Sequence, residues 1–238
     1  MENILEVKGV GKNFGGFTAL SDVNLSIRKG ERLGLIGPNG SGKTTLISCI
    51  SGALQNDGGT IRFNGESIET LPAYARTRRG IARSFQIPRP FASMTVLENL
   101  MVPLAYVGGL SGSKARAQGL EILDEMGLAE KAESSSASLS QVELRKMELA
   151  RAIAAKPQLL ISDEAMAGLS GSEVDDVLDI LIKLNKQGIT IIMIEHIMHA
   201  VMRFSERIIC LDAGQIICDG DPKTVVGNPQ VQRAYLGD

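Results

Sequence analysis

Residues 37–45, Gly-Pro-Asn-Gly-Ser-Gly-Lys-Thr-Thr, have the types and the spacing that bind an anion. An apolar run at 32–36 precedes them and predicts a buried strand, and residues 45–50 predict the first turns of a helix. Glycines at such a turn let backbone N–H groups approach phosphate oxygens, and the helix N-terminus adds partial positive charge. The match to the phosphate-loop pattern G-x-x-x-x-G-K-S/T is complete. The sequence therefore predicts a nucleotide phosphate site here.

Two side chains of this loop have predicted roles of their own. We expect Lys43 to reach the outer phosphates and the Thr44 hydroxyl to ligate Mg²⁺. The residues expected to contact the nucleotide at this loop are Gly37, Pro38, Asn39, Gly40, Ser41, Gly42, Lys43, Thr44 and Thr45.

Polar side chains follow three other predicted strands. Asp163 and Glu164 come after an apolar run, His196 lies just beyond another, and Gln86 follows a third. Strands that alternate with helices indicate a mostly parallel α/β sheet, and such sheets bind ligands at the carboxyl ends of their strands. We therefore expect these side chains to meet the phosphate loop at one edge of the sheet.

The chemistry of these groups suits nucleotide hydrolysis. We predict that Glu164 orients and polarises a water molecule, and that His196 and Gln86 contact the terminal phosphate or that water. Asp163, Gln86 and Thr44 are the predicted Mg²⁺ ligands. For a lone Asp-Glu pair, the alternative is a helix N-cap, and the phosphate loop makes the catalytic interpretation the stronger one.

The composition narrows the function classes. The chain has 238 residues and a net charge of −2, which implies no broad attraction to nucleic acid or anionic lipid. The basic run at 76–79 is interpreted as a solvated helix end rather than a binding patch. No stretch approaches the ~20 apolar residues of a membrane span, and no secretory leader opens the chain, so we expect a cytosolic protein. Cys49, Cys210 and Cys218 are predicted to be buried free thiols.

The order of predicted elements indicates one domain with an inserted part. The N-terminal stretch alternates as strands, residues 88–155 have helical periodicity without convincing strands, and strands return at 158. Capping boxes are predicted at 95–98 and 170–173. We therefore expect a core formed by 1–87 and 156–238, and a helical subdomain at 88–155.

Taken together, these motifs resemble the ATP-binding subunit of an ABC transporter. The corresponding segments are 37–45 (Walker A), 83–86 (Q-loop), 139–143 followed by the basic helix 145–151 (signature), 159–164 (Walker B), 167–170 (D-loop) and 195–196 (H-loop). The phrases 80–86, 94–99, 166–169 and 228–237 resemble, more narrowly, the importer class for branched-chain amino acids and its amide and urea relatives. The resemblance implies a P-loop NTPase (RecA-like) core with an N-terminal antiparallel β subdomain and an inserted α-helical subdomain.

The resemblance also implies ligands and partners. ATP and Mg²⁺ would be bound, with Phe14, rather than Phe17, stacked on adenine and Ser140 acting on the nucleotide of a second ABC ATPase subunit. Two transmembrane permease subunits would hold the pair at the cytoplasmic face of the inner membrane, and a periplasmic or surface solute-binding protein would take part indirectly. The loop at 88–91 would contact the permease, and no nucleic acid would be bound.

The signature departs from the family pattern Leu-Ser-Gly-Gly-Gln. Gln141 and Val142 stand where the glycines are usual, and Glu143 adds a negative charge. Because added side chains and a β-branched residue disfavour close approach and positive φ, we predict intact nucleotide binding and weaker closure on the partner's nucleotide. A small backbone shift, or a heterodimer partner with a working signature, is the alternative.

Three other functions remain as alternatives. A low-turnover nucleotide-binding regulatory subunit would explain the altered signature. A soluble ABC ATPase without a membrane partner is disfavoured by the single domain. A kinase or GTPase with the same phosphate loop is disfavoured because the guanine-binding pattern Asn-Lys-x-Asp is absent and nothing in the sequence suggests an acceptor pocket.

Overall fold

The computed structural model describes residues 2–85 and 87–236. Its strands are β1 (Asn3–Phe14), β2 (Phe17–Arg28), β3 (Arg32–Ile36), β4 (Gly58–Phe63), β5 (Glu66–Ser67), β6 (Ile81–Ser84), β7 (Leu159–Asp163), β8 (Thr190–Ile194), β9 (Arg207–Asp212) and β10 (Gln215–Gly220). Its helices are α1 (Lys43–Ser51), α2 (Ala73–Arg78), α3 (Val96–Tyr106), α4 (Gly112–Glu125), α5 (Gln141–Ala154), α6 (Gly171–Lys186), α7 (Met198–Phe204), α8 (Pro222–Val226) and α9 (Pro229–Leu236).

These strands form two sheets within the described chain. The smaller one is antiparallel, with the order β2-β1-β4-β5. The larger one has the order β10-β9-β3-β8-β7-β6, and all of its neighbouring pairs are parallel except β9–β10. The carboxyl ends of β3, β8 and β7 therefore lie side by side. This is the arrangement predicted from the phosphate loop and the polar residues that follow these strands.

The larger sheet is buried on both faces, which explains the continuous apolar runs of its strands. Leu159 and Ile161 of β7 pack with α1 and the smaller sheet, whereas Leu160 packs with the helices. The same alternation holds in β8. Ile192 packs on the side of α1 and the smaller sheet, and Met193 packs on the side of α3–α7. The two-residue period of a strand thus supplies one hydrophobic core to each layer.

The segment between β6 and β7 is helical, as its periodicity predicts. α3, α4 and α5 pack on one another, and their apolar faces join the core of the larger sheet. Capping boxes close the N-termini of α3 at Thr95 and of α6 at Ser170, both as predicted. Among the described helices, none is long and apolar enough to cross a bilayer.

The cysteines occupy the positions expected of structural thiols. Cys49 and Cys210 are buried, Cys218 is half-buried, and all three are free. Burial raises the pKa of the Cys210 thiol to about 11, which keeps it protonated and unreactive at neutral pH.

Arg76 contradicts the interpretation of residues 76–79 as a solvated helix end. Its side chain is 1% exposed, although Arg78 and Arg79 are exposed as predicted. The Arg76 guanidinium donates to the carbonyl oxygens of Cys49 and Ile50 in the last turn of α1, and to two carbonyls of the loop before α2. The end of a helix presents unpaired carbonyls and partial negative charge, and a guanidinium satisfies both. The far end of the helix that begins at Lys43 is thereby fixed.

Replacing Arg76 by alanine should lower the free energy of unfolding by about 3 kcal/mol, because buried carbonyls of α1 and of the adjoining loop would lose their donor. Arg78→Ala, on the exposed face of the same helix, should change it by less than about 0.5 kcal/mol. Urea denaturation followed by circular dichroism measures both. Equal effects of the two substitutions would contradict the capping role of Arg76.

Candidate nucleotide-binding site

The loop at 37–45 joins β3 to α1, as the sequence predicts. Gly37, Gly40 and Gly42 have φ values of 151°, 78° and 105°. A Cβ added at Gly37 would lie 2.1 Å from the Leu211 carbonyl oxygen, whereas one at Gly40 would meet nothing within 4 Å. Gly37 is therefore required by close packing against β9, and Gly40 by its left-handed backbone alone.

Lys43 is folded back over this loop. Its Nζ donates to the carbonyl oxygens of Gly37, at 2.7 Å, and of Pro38, at 3.0 Å. Burial lowers the pKa of Lys43, and the nearby carboxylates of Glu164 and Asp163 oppose that shift. An ammonium group in this low-dielectric position is a strong attractor for phosphate oxygens.

Other polar atoms of the loop fit a phosphate ligand. The Ser41 hydroxyl oxygen is buried and has no hydrogen-bond partner among the described residues. The Thr44 side chain lies in the first turn of α1 and is exposed, as are Asn39 and Gly40. A buried hydroxyl without a partner, an accessible hydroxyl and a helix N-terminus form a donor set that suits the phosphates of a nucleotide.

Asp163 is the last residue of β7 and faces this loop. Its Oδ2 accepts a hydrogen bond from Arg83 Nη2 of β6 at 2.6 Å, and both side chains are nearly buried. Arg83 belongs to the Q-loop segment 83–86 identified in the sequence, but no role is predicted for it there. It lies on β6, the strand that pairs with β7. The described residues contain no cluster of three or more His, Cys, Asp or Glu side chains that could hold a metal. The Asp163 carboxylate and Thr44, which line the same cavity, suit Mg²⁺, which takes its remaining ligands from water and phosphates.

Glu164 and His196 form a direct contact. His196 Nε2 lies 3.2 Å from Glu164 Oε1, and both side chains are partly accessible. Glu164 has a φ of 47°, and its N–H donates to the Ile194 carbonyl oxygen at the end of β8. A left-handed backbone is uncommon for a non-glycine residue, and such residues concentrate at functional sites. The structure therefore brings two of the three predicted catalytic side chains together.

The remaining predicted site residues are Phe14, Ser140 and Gln86. Phe14 ends β1 opposite Phe17, where 49% of Phe14 is exposed and Lys12 Nζ lies 5.6 Å from its ring centroid. Ser140 is the N-cap of α5 and is exposed. Gln86 lies outside the described residues.

The signature segment lacks the positive φ values on which the sequence argument about Gln141 and Val142 is based. Gln141 and Val142 are helical, and neither has positive φ, so the argument from the backbone preference of valine is wrong. Ser140 and Glu143 form a capping box, in which each side chain accepts a hydrogen bond from the other residue's N–H. These hydrogen bonds hold the pKa of Glu143 below its usual range. The pattern Ser-x-x-Glu was a signal for this cap that the sequence interpretation did not use.

The segment after Glu164 is held from two sides. The Ala167 carbonyl oxygen accepts hydrogen bonds from the Gln141 amide and the Arg145 guanidinium, each at 3.3 Å. On the other side, Glu195 Oε1 accepts the Met166 N–H at 2.9 Å. The Gln141 side chain also covers Gly168, where an added Cβ would lie 2.6 Å from the amide nitrogen. The unusual Gln141 is therefore turned toward the D-loop of its own chain.

Family models and a curated relative match most of this chain. A family model described as "ABC transporter" matches residues 20–167, and one described as "Branched-chain amino acid ATP-binding cassette transporter" matches residues 215–238. The high-affinity branched-chain amino acid transport ATP-binding protein BraF of Pseudomonas aeruginosa is 37% identical, over 99% of this chain and 98% of the relative.

Solved structures agree as well. The ADP conformation of MJ1267, an ATP-binding cassette of an ABC transporter, superposes with a TM-score of 0.92 at 31% identity over the whole of both chains. A dimeric post-hydrolysis state of the cassette MJ0796, bound to ADP and Pi, gives a TM-score of 0.83 at 28% identity, over 92% of this chain and 98% of that one. The predicted P-loop NTPase fold is confirmed, and the chain belongs to the ATP-binding family of ABC transporters.

Proposed function

We propose that the chain hydrolyses ATP to drive import of branched-chain amino acids, or of a related small solute, through membrane permeases. The observation that carries this proposal is the juxtaposition of the phosphate loop with Asp163 and the Glu164–His196 pair at the ends of adjacent parallel strands. The match of residues 215–238 to the branched-chain amino acid family model supports the solute class.

The proposed roles follow from the positions of the side chains. Lys43 exchanges its carbonyl acceptors for phosphate oxygens, and the N–H groups of 37–45 hold the rest of the phosphate chain. Glu164 accepts the proton of the attacking water, and His196, in contact with Glu164, orients that water or the terminal phosphate. Phe14 stacks on the adenine, and its exposed ring supports this role.

Mg²⁺ held by Thr44, Asp163 and Gln86 would neutralise charge that develops on the phosphate oxygens. The exposed Thr44 hydroxyl and the single carboxylate of Asp163 support this assignment.

We propose that two ATPase subunits act together. Ser140 of each would contact the nucleotide of the other, and its exposure at a helix N-terminus supports that role. The weaker closure predicted from Gln141 and Val142 stays a prediction. The relationship to a cassette solved as a dimer with ADP and Pi supports a paired arrangement.

A groove between the core and the helical segment supports a permease partner. The cavity there has a volume of about 790 Å³. Phe85, Ile87, Phe91 and Tyr106, which are all exposed, line part of it, and Thr44 and Asp163 of the proposed Mg²⁺ site line another part. An apolar groove with exposed aromatic side chains is typical of a docking site for a partner segment. A permease in this groove would hold the chain at the cytoplasmic face of the inner membrane.

Hydrogen bonds with side chains of the helical segment fix the backbone of Arg89 and Phe91 beside this groove. The Arg89 N–H donates to Glu148 Oε1 at 2.8 Å, and the Arg89 carbonyl oxygen accepts from Arg151. The Phe91 N–H donates to Asn99 Oδ1, and Asn99 donates back to the Phe91 carbonyl oxygen. These contacts support the proposed coupling role of 88–91. They also join 88–91 to α3 and α5, which supports a helical subdomain at 88–155 within a single ATPase domain whose core is 1–87 and 156–238.

Glu164→Gln should lower ATP turnover about a hundredfold or more, because the amide cannot accept the proton of the attacking water. ATP affinity should change by less than about twofold, whereas Lys43→Ala should abolish binding. In cells that lack this gene, the native chain should restore uptake of labelled leucine and Glu164→Gln should not.

Glu121→Gln, an exposed carboxylate on α4, is the matched control and should keep full turnover. Native turnover by Glu164→Gln, or ATP binding that survives Lys43→Ala, would contradict the assigned site. Restored ATPase without restored leucine uptake would contradict only the solute class.

Glu195 gives a prediction for pH. Burial raises the pKa of this carboxyl to about 7, and the charge of Glu164 adds to the effect, while hydrogen bonds from Met166 and His196 N–H groups and the charge of Arg145 oppose it. The folded chain therefore binds more protons at Glu195 than the unfolded chain between about pH 4.5 and 7, so stability falls as pH rises through that window.

Relative to Glu195→Gln, the native chain should lose about 2–3 kcal/mol of unfolding free energy between pH 5 and pH 8, and most of the loss should occur below pH 7. The glutamine keeps an acceptor for the Met166 N–H and does not titrate. Urea denaturation at several pH values measures the difference. Parallel pH profiles for the two proteins would contradict a protonated Glu195, and Glu121→Gln should follow the native profile.

Tyr106→Asp should prevent the chain from purifying with its permeases, because it places a charge in the apolar groove. ATP turnover by the isolated chain should not change. Tyr74→Asp, an exposed tyrosine on α2, is the control and should still purify with the permeases. Equal recovery of both variants with permeases encoded beside this gene would place the docking surface elsewhere.

A further inference from the structure

The C-terminal segment returns to the larger sheet. After β10, α8 and α9 pack against that sheet, and Val231 of α9 is 5% exposed within its core. The Asn228 amide, just before α9, donates to the Cys218 sulfur of β10 at 3.3 Å. The tail is thus a packed part of the domain, and none of the roles assigned above involves it.

One side chain of α9 reaches the phosphate loop. The Tyr235 hydroxyl accepts a hydrogen bond from the Gly37 N–H at 2.6 Å, across 198 positions of sequence. Gly37 is buried, and a buried backbone N–H needs an acceptor. Tyr235 supplies that acceptor from the last described turn of the chain.

Gly37 is held on its other side by Lys43. Its carbonyl oxygen accepts from Lys43 Nζ at 2.7 Å, and its α-carbon packs against the Leu211 carbonyl. Tyr235, β9 and Lys43 therefore fix the residue at which the chain leaves β3 and enters the loop. Burial raises the pKa of Tyr235 to about 12, so the hydroxyl stays neutral at physiological pH.

We propose that Tyr235 is a positioning residue for nucleotide binding, which holds the first residue of the phosphate loop and couples the docking of α9 to nucleotide occupancy. This inference rests on the proposed role of 37–45 in binding ATP. If the docked tail favours the loop shape that binds ATP, then bound ATP must favour the docked tail by the same free energy.

Tyr235→Phe removes the hydroxyl and keeps the ring. Calorimetric titration with ATP and Mg²⁺ should show about five- to tenfold weaker binding, the range expected for loss of one partly buried hydrogen bond. In steady-state assays the KM for ATP should rise by a similar factor while kcat stays within about twofold, because Tyr235 does not touch the reacting atoms. Tyr74→Phe removes an exposed hydroxyl and should change neither quantity.

Hydrogen exchange tests the coupling. In the native chain ATP should slow amide exchange in 229–236, and in Tyr235→Phe it should not. Val231→Ala loosens the packing of α9 without touching the hydroxyl, and it should weaken ATP binding in the same direction.

Native ATP affinity in Tyr235→Phe would overturn the inference, as would a lower thermal midpoint without any change in ATP affinity. The proposed function would still stand in either case, provided that native ATP binding requires Lys43. Failure of the native chain itself to bind ATP would instead contradict the proposed function.

Discussion

The rest of this structure depends on one interaction, the hydrogen bonding of the buried Lys43 ammonium group to the backbone of the glycine turn. The Lys43 ammonium group donates to the backbone carbonyls of Gly37 and Pro38, and Asp163 and Glu164 are close enough to influence its pKa. An unpaired charge in that position is costly, so the surrounding strands must supply its partners. The parallel order of β3, β8 and β7 does so, because it brings the acidic end of β7, Asp163 and Glu164, close to Lys43.

Much of this arrangement could be predicted from the sequence, for a physical reason. Parallel strands end at a common edge, so polar residues that follow apolar runs must lie close together once the sheet is known to be parallel. The contact of Glu164 with His196 follows from that rule, because β7 and β8 are neighbours in the sheet. Helix caps at Thr95 and Ser170 were predictable because their hydrogen bonds are local.

What the sequence could not predict are contacts between distant segments. Arg76 belongs to a basic run that is typical of an exposed surface, yet its side chain caps a helix that ends more than twenty residues earlier. Tyr235 reaches Gly37 from the other end of the chain. Gln141 has no local pattern that directs its amide to Ala167. Periodicity and capping rules describe neighbours in sequence, and these contacts arise only when the layers pack.

The central claim is that 37–45, Asp163 and the Glu164–His196 pair surround the phosphates of one ATP molecule. A crystal structure of Glu164→Gln grown with ATP and Mg²⁺ tests it most directly. The account predicts phosphates within hydrogen-bond distance of Lys43 Nζ, a cation beside Thr44 and Asp163, and His196 facing the terminal phosphate. A nucleotide bound elsewhere, or at this loop with Asp163 and His196 remote from its phosphates, would contradict the account.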